Sequence, residues 1–164
     1  MRPATCQTAK ISVIAHSMGG YVMQKALAMA SQRLNNPQLV TLIHQLALVA
    51  SDIDNDLFQK SQPAESNGIL MTNLCYRIGA LYSGLDSVLG ASAGLKHFGV
   101  RRLGRSGLAD RTAVPDNVFD VDVTPLIKDT PGSTHSAVFN TPAAMDLLRA
   151  MLVGVDRGLL SAPA

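Results

Sequence analysis

The run Ile11-Ser12-Val13-Ile14-Ala15 passes without a break into His16-Ser17-Met18-Gly19-Gly20 and then into a helical pattern, and no other stretch constrains the fold as much. A β-branched, almost wholly apolar run of five residues reads as a strand covered on both faces. Val22, Ala26, Ala30 and Leu34 then recur every fourth residue, with Met23 and Leu27 beside them, so the next element is a helix with one apolar face that Asn35-Asn36-Pro37 ends. A strand that turns this abruptly into a helix opens a βα unit, and such units assemble into a parallel sheet with helices packed against it.

The alternation continues. Residues 45–50 read as a second strand, 54–62 as a short helix capped by Asp54 or Asn55, and Asn67 as the cap of another short helix ending near Leu74. A third strand is expected over 77–82, a helix over 87–97 and a long loop over 99–117. Residues 118–123 alternate with period two and form the fourth strand. Thr141-Pro142 starts the last helix and Gly154 ends it. The expected class is α/β: a parallel sheet of about four strands with flanking helices, in one domain spanning 1–164.

Composition narrows the function. Apolar residues make up 47% and charged residues 16%, a balance that excludes a disordered chain. The formal charge of +2 gives no reason to expect a nucleic-acid partner. Cys6 and Cys75 are too few for a disulfide framework or a cysteine-rich zinc site. No run of about 18 apolar residues is present to span a membrane, and the first residues lack a signal-like apolar core, so a cytoplasmic location is expected.

The chemistry concentrates at Ala15-His16-Ser17-Met18-Gly19-Gly20. A serine on a sharp strand-to-helix turn, with small residues two before and two after it, is the arrangement of a nucleophile elbow, and Ala15 departs from the usual glycine by one methyl group. The turn lifts Ser17 Oγ above the sheet, and the Met18 N–H at the helix start becomes an oxyanion donor. A serine nucleophile needs a base and an orienting carboxylate, which on such a sheet follow in the order acid, then histidine. His135, in a loop after the last strand, is the expected base. His16 points away from its neighbour Ser17, His44 reads as a packed or edge residue, and His97 as a helix end. Asp86, just past the third strand, is the favoured acid, with Asp52 and Asp54 as rivals. Asp120 and Asp122 lie inside a strand.

Other features favour structural roles. Asp52-Ile53-Asp54-Asn55-Asp56 resembles the start of a calcium loop, but Leu57 stands where Gly is required and Pro63 where Glu is required. Capping of the helix over 54–62 is the better account. Lys96, Arg101, Arg102, Arg105 and Arg111 form a basic stretch read as a solvated loop rather than an anion site. Met23, Met29, Met145 and Met151 read as helix-borne core filler, and Met18 as the exception, a residue that touches the acyl pocket.

In order, the segments 15–20, 48–54, 82–89, 101–107 and 132–136 resemble the α/β-hydrolase superfamily, and more narrowly the bacterial alpha/beta hydrolases of unknown function. The resemblance spans roughly residues 10–153. It implies Ser17 as nucleophile, Asp86 as acid and His135 as base, with no metal or organic cofactor. The expected function is hydrolysis of a small-molecule carboxylic ester through an acyl-enzyme. Acyl transfer to an alcohol and an inactive hydrolase-like binding module are the alternatives. Relatives carry several strands before the nucleophile strand, including the loop that gives a second oxyanion donor. On that comparison the chain is expected to hold the C-terminal part of the fold, with an open apolar edge that favours self-association.

Overall fold

The computed structural model describes residues 10–35, 40–64, 66–95 and 98–160. Strands β1 (Ser12–His16), β2 (Ile43–Val49), β3 (Cys75–Tyr82) and β4 (Val118–Asp122) form one parallel sheet in chain order. Parallel neighbours require a crossover after each strand. These crossovers carry α1 (Met18–Arg33), α2 (Asn67–Leu74), and then α3 (Ser87–Leu95) with the single turn α4 (Leu103–Ser106). After β4 come α5 (Thr124–Ile127), a 3₁₀ turn over Thr134–Ser136, α6 (Ala137–Asn140), α7 (Pro142–Val153) and a last 3₁₀ turn over Arg157–Leu159.

Side-chain alternation divides the core between the two faces. Leu46, Leu48, Ile78, Ala80 and Val118 pack with Leu27 of α1 and with Met71 and Leu74 of α2. Ala47, Val49, Leu81, Phe119 and Val121 pack with Leu89 of α3, Ile127 of α5, and Leu148 and Met151 of α7. The molecule is therefore layered helix, sheet, helix, as expected from the βα alternation. β2 is buried on both sides over its second half, which accounts for the apolar run Leu46-Ala47-Leu48-Val49. β1 and β4 are the outer strands of the described sheet, and Ile14 on β1 is 44% exposed. Cys75 is buried at the start of β3, and burial pushes its thiol up to about 12.

The structure differs from the sequence reading at several places. Residues 54–62 form successive turns, not a helix. Their backbone groups bond instead to the long loop: Asn55 N–H to the Arg101 carbonyl, Ala109 N–H to that of Asn55, and Lys60 N–H to that of Ala113. Non-local pairing has overridden local helix propensity. The cap of α2 is Ser66, whose Oγ accepts from the Ile69 N–H, one residue earlier than expected. Met29 is exposed rather than core filler.

The basic stretch is only partly solvated: Arg101 and Arg111 are exposed, whereas Arg102 is buried and Arg105 half-buried. Arg102 is 3% exposed, its Nε donates to Asp52 Oδ1 at 2.6 Å, and its two terminal nitrogens reach Asp54 and the Asp52 carbonyl. The Ser92 hydroxyl, 3.1 Å and 3.0 Å from the two Asp52 carboxylate oxygens, completes the cluster. Arg105 donates to the Asp86 carbonyl, and Arg111 to Asp120 Oδ1 at 2.6 Å and the Tyr82 hydroxyl at 2.9 Å. Three arginines thus fasten the long loop to the residues just after β2, to the end of β3 and the loop beyond it, and to Asp120 within β4. Cys6, Lys96 and His97 lie outside the described residues.

Removing one partner of a buried ion pair strands the other charge away from water. Arg102→Leu is therefore expected to lower unfolding free energy by about 3–5 kcal/mol. Arg149→Leu, which breaks the exposed Arg149–Asp146 pair, is expected to cost about 1 kcal/mol or less. Urea unfolding of both variants checks the contrast.

Candidate active site

Ser17 is the single residue between β1 and α1. Turning from an extended to a helical path in one step gives it φ 54° and ψ −123°, a region that L residues seldom adopt. Such a backbone costs about 1–3 kcal/mol and persists only where its surroundings hold it. Here the Ser17 N–H donates to the Val49 carbonyl at 3.0 Å, and its carbonyl accepts from the Gly20 and Asp52 N–H groups, each at 3.1 Å. The side chain makes no capping bond to α1, so Oγ is available for other partners.

His135 supplies one. Its Nε2 lies 2.8 Å from Ser17 Oγ, and its Nδ1 lies 2.7 Å from Asp86 Oδ2. An ionised carboxylate only accepts, so Nδ1 carries a proton toward Asp86. In the neutral ring Nε2 is then left to accept the Ser17 hydroxyl proton. Asp86 is 1% exposed, and its Oδ1 accepts from the Leu89 N–H at 2.9 Å. One carboxylate thus caps α3 with one oxygen and holds the imidazole with the other. Met18 is the first residue of α1, where N–H groups lack helical carbonyl partners and the helix dipole is positive. Ser17 and Met18 open onto a cleft of about 290 Å³ whose walls include Val88, Leu89 and Ala91 of α3.

Residues 3–151 match the family described as alpha/beta hydrolase of unknown function (DUF900). The chain belongs to that family. No curated protein and no solved structure matches it.

In this α/β hydrolase the order Ser17, Asp86, His135 along the chain brings the three side chains into one line of hydrogen bonds. Asp52 lines the same cleft as Ser17, but its carboxylate and that of Asp54 are both paired with Arg102 rather than with His135. Asp120 holds Arg111, and Asp122 accepts from the Thr124 N–H. Arg111 is raised above its ordinary value by its bonds to Asp120 and the charge beside it. Tyr82 is raised by burial and then by the neighbouring Asp122. His44 stacks on Tyr76 at 4.6 Å, and burial together with the cations Lys10 and Arg77 holds it below its ordinary value. On sequence alone His16 points away from Ser17 and has no part in the site. Its Nε2 instead lies 3.0 Å from the carbonyl of His135. Strand alternation was the signal that could have flagged it. Among the described residues no three His, Cys, Asp or Glu side chains gather as a metal site. No helix there is long and apolar enough to cross a membrane.

The tightest packing at the elbow is one residue beyond the position expected. A Cβ on Gly19 would meet Ala15 Cβ at 4.0 Å, an ordinary contact. On Gly20 it would stand 1.7 Å from Ser51 Oγ and 3.0 Å from Ser51 Cβ. Gly20→Ala is expected to cost about 1–3 kcal/mol by overpacking. Gly19→Ala is expected to be neutral or to add up to about 1 kcal/mol through helix propensity. Adding Ser51→Ala should recover part of the Gly20→Ala loss, and a double-mutant cycle by urea unfolding measures that coupling.

Proposed function

We propose that this α/β hydrolase is a serine hydrolase that cleaves carboxylic esters through an acyl-enzyme on Ser17. The observation that carries the reading is the unbroken line from Asp86 Oδ2 through both His135 ring nitrogens to Ser17 Oγ. It runs from a buried carboxylate to a serine held on a strained turn.

In this reading Ser17 Oγ attacks the ester carbonyl carbon as its proton passes to His135 Nε2. The imidazolium formed is stabilised by Asp86, which remains ionised. The developing oxyanion sits near the start of α1, where the Met18 N–H and the positive end of the helix oppose its charge. His135 then returns the proton to the departing alcohol oxygen, leaving Ser17 acylated. A water molecule repeats the sequence: His135 takes its proton, the hydroxide oxygen attacks the acyl carbon, and Ser17 leaves with the proton restored. The cleft walled by Val88, Leu89 and Ala91 supports an apolar acyl group on the substrate, since it offers mostly side-chain carbon next to the serine. Asp86 acts by orientation, since its bond to Nδ1 selects the tautomer that leaves Nε2 free to accept.

Steady-state hydrolysis of a series of p-nitrophenyl esters tests the reading. Ser17→Ala and His135→Ala are each expected to lower kcat by about a thousandfold or more, and the double variant no further. Asp86→Asn is expected to fall by about 10³–10⁴-fold. Undiminished turnover in Ser17→Ala would exclude the serine, and a wild-type protein without turnover would favour a binding module. Transfer of the acyl group to an added alcohol, in preference to water, would move the assignment to acyl transfer.

A further inference from the structure

The chemistry above leaves His16 unused, although it touches the base. Residues alternate across β1. Ala15 packs into the cluster beneath α1 and α2, whereas the Ser12 hydroxyl donates to the Leu152 carbonyl of α7 on the opposite face. His16, in register with Ser12, stands on that second face, where the chain returns after β4 carrying His135. Its Nε2 lies 3.0 Å from the His135 carbonyl oxygen. Its ring centroid is 4.9 Å from that of His135 at a tilt of 45°, and Phe139 meets it edge-on at 5.2 Å. A carbonyl oxygen only accepts, so His16 carries its proton on Nε2 and donates it.

The segment that bears His135 is a single 3₁₀ turn, preceded by the exposed residues Pro131, Gly132 and Ser133 and anchored on its other side by the buried Ala137 and Val138 of α6. A turn this short does not fix an imidazole by itself. One tether, the Thr134 hydroxyl donating to the Leu85 carbonyl at 3.0 Å, ties it to the loop of Asp86. The bond from His16 ties it to the strand that ends at Ser17. We propose that His16 is a positioning residue: its Nε2–H sets the distance between the His135 imidazole and Ser17 Oγ by holding the backbone of the base. The proposal rests on the serine-hydrolase reading. It predicts that the donated hydrogen bond matters and that aromatic bulk alone does not suffice.

Two substitutions separate those contributions. Phe at position 16 keeps an aromatic ring against Phe139 and loses the donor, whereas Gln keeps an N–H at similar reach and loses the ring. The readouts are kcat and KM on an activated ester, together with the low-field Nδ1 proton resonance of His135 in the resting protein, assigned by its loss in Asp86→Asn. In His16→Phe the resonance should broaden, and kcat should fall about 10- to 100-fold at unchanged KM, as expected of a reacting group displaced by about an ångström. In His16→Gln both should return to within about threefold of wild type, because the amide N–H replaces the donor. A His16→Phe protein that keeps both the resonance and kcat overturns the proposal, and so does a His16→Gln protein that loses as much as His16→Phe. If His16→Phe does not fold, the ring-nitrogen shifts of His16 in the wild type decide: a proton on Nε2 upholds donation, and a proton on Nδ1 overturns it. If the wild type cleaves no ester while the resonance responds as expected, the serine-hydrolase reading fails and the hold of His16 on His135 stands.

Discussion

The backbone of Ser17, held at a positive φ between a strand and a helix, is the constraint on which the C-terminal end of the sheet depends. Ser17 could relax into an ordinary turn if its neighbours allowed it, but its N–H and carbonyl are both bound to the end of β2 and the residues just after it. That region is strained in turn, with Ala50 at φ 44°. Gly104 sits so close that a Cβ there would lie 2.1 Å from the Ser51 nitrogen. Gly20 meets the same Ser51 from the other side. The elbow, the β2 turn and the first residues of α4 are thus packed as one unit around Ser51, and Arg102 locks the unit through Asp52. Rigidity of this kind is what a reacting group needs, because orientation is gained before substrate arrives.

In the proposed reading Asp86 combines a structural and a chemical role without conflict. A carboxylate has two oxygens with several lone pairs between them. Capping α3 through Oδ1 fixes the rotamer that aims Oδ2 at His135. The helix start that Asp86 caps is therefore what orients it for the imidazole.

The strands and helices that carry the site were legible because each has strong local signals. Examples are the β-branched run before Ser17, the period-four stripe of α1, and the Thr141-Pro142 and Gly154 boundaries of α7. That the side chains of Ser17, Asp86 and His135 meet was legible because the tight turn, the strand ends and the chain order restrict which side chains can come together. What could not be read was decided by contacts distant in sequence. The turns over 54–62 exist because the loop after α3 takes up their backbone groups. The burial of Arg102 depends on acids about fifty residues away, and nothing in a Gly- and Arg-rich segment distinguishes an arginine that will be buried from one that will be solvated. The contact of His16 is hidden from the sequence for a geometric reason. The side chain does point away from Ser17, but the face it points to is occupied by a segment more than a hundred residues later.

The central claim is that this relay makes one serine a nucleophile. Incubating the folded protein with a fluorophosphonate and mapping the adduct by peptide mass spectrometry tests it most directly, because the reagent records nucleophilicity without requiring the natural substrate. The account predicts a single modified residue, Ser17, with labelling abolished in Ser17→Ala and in heat-unfolded protein. Adducts spread over several serines, or labelling undiminished in Ser17→Ala, would contradict it.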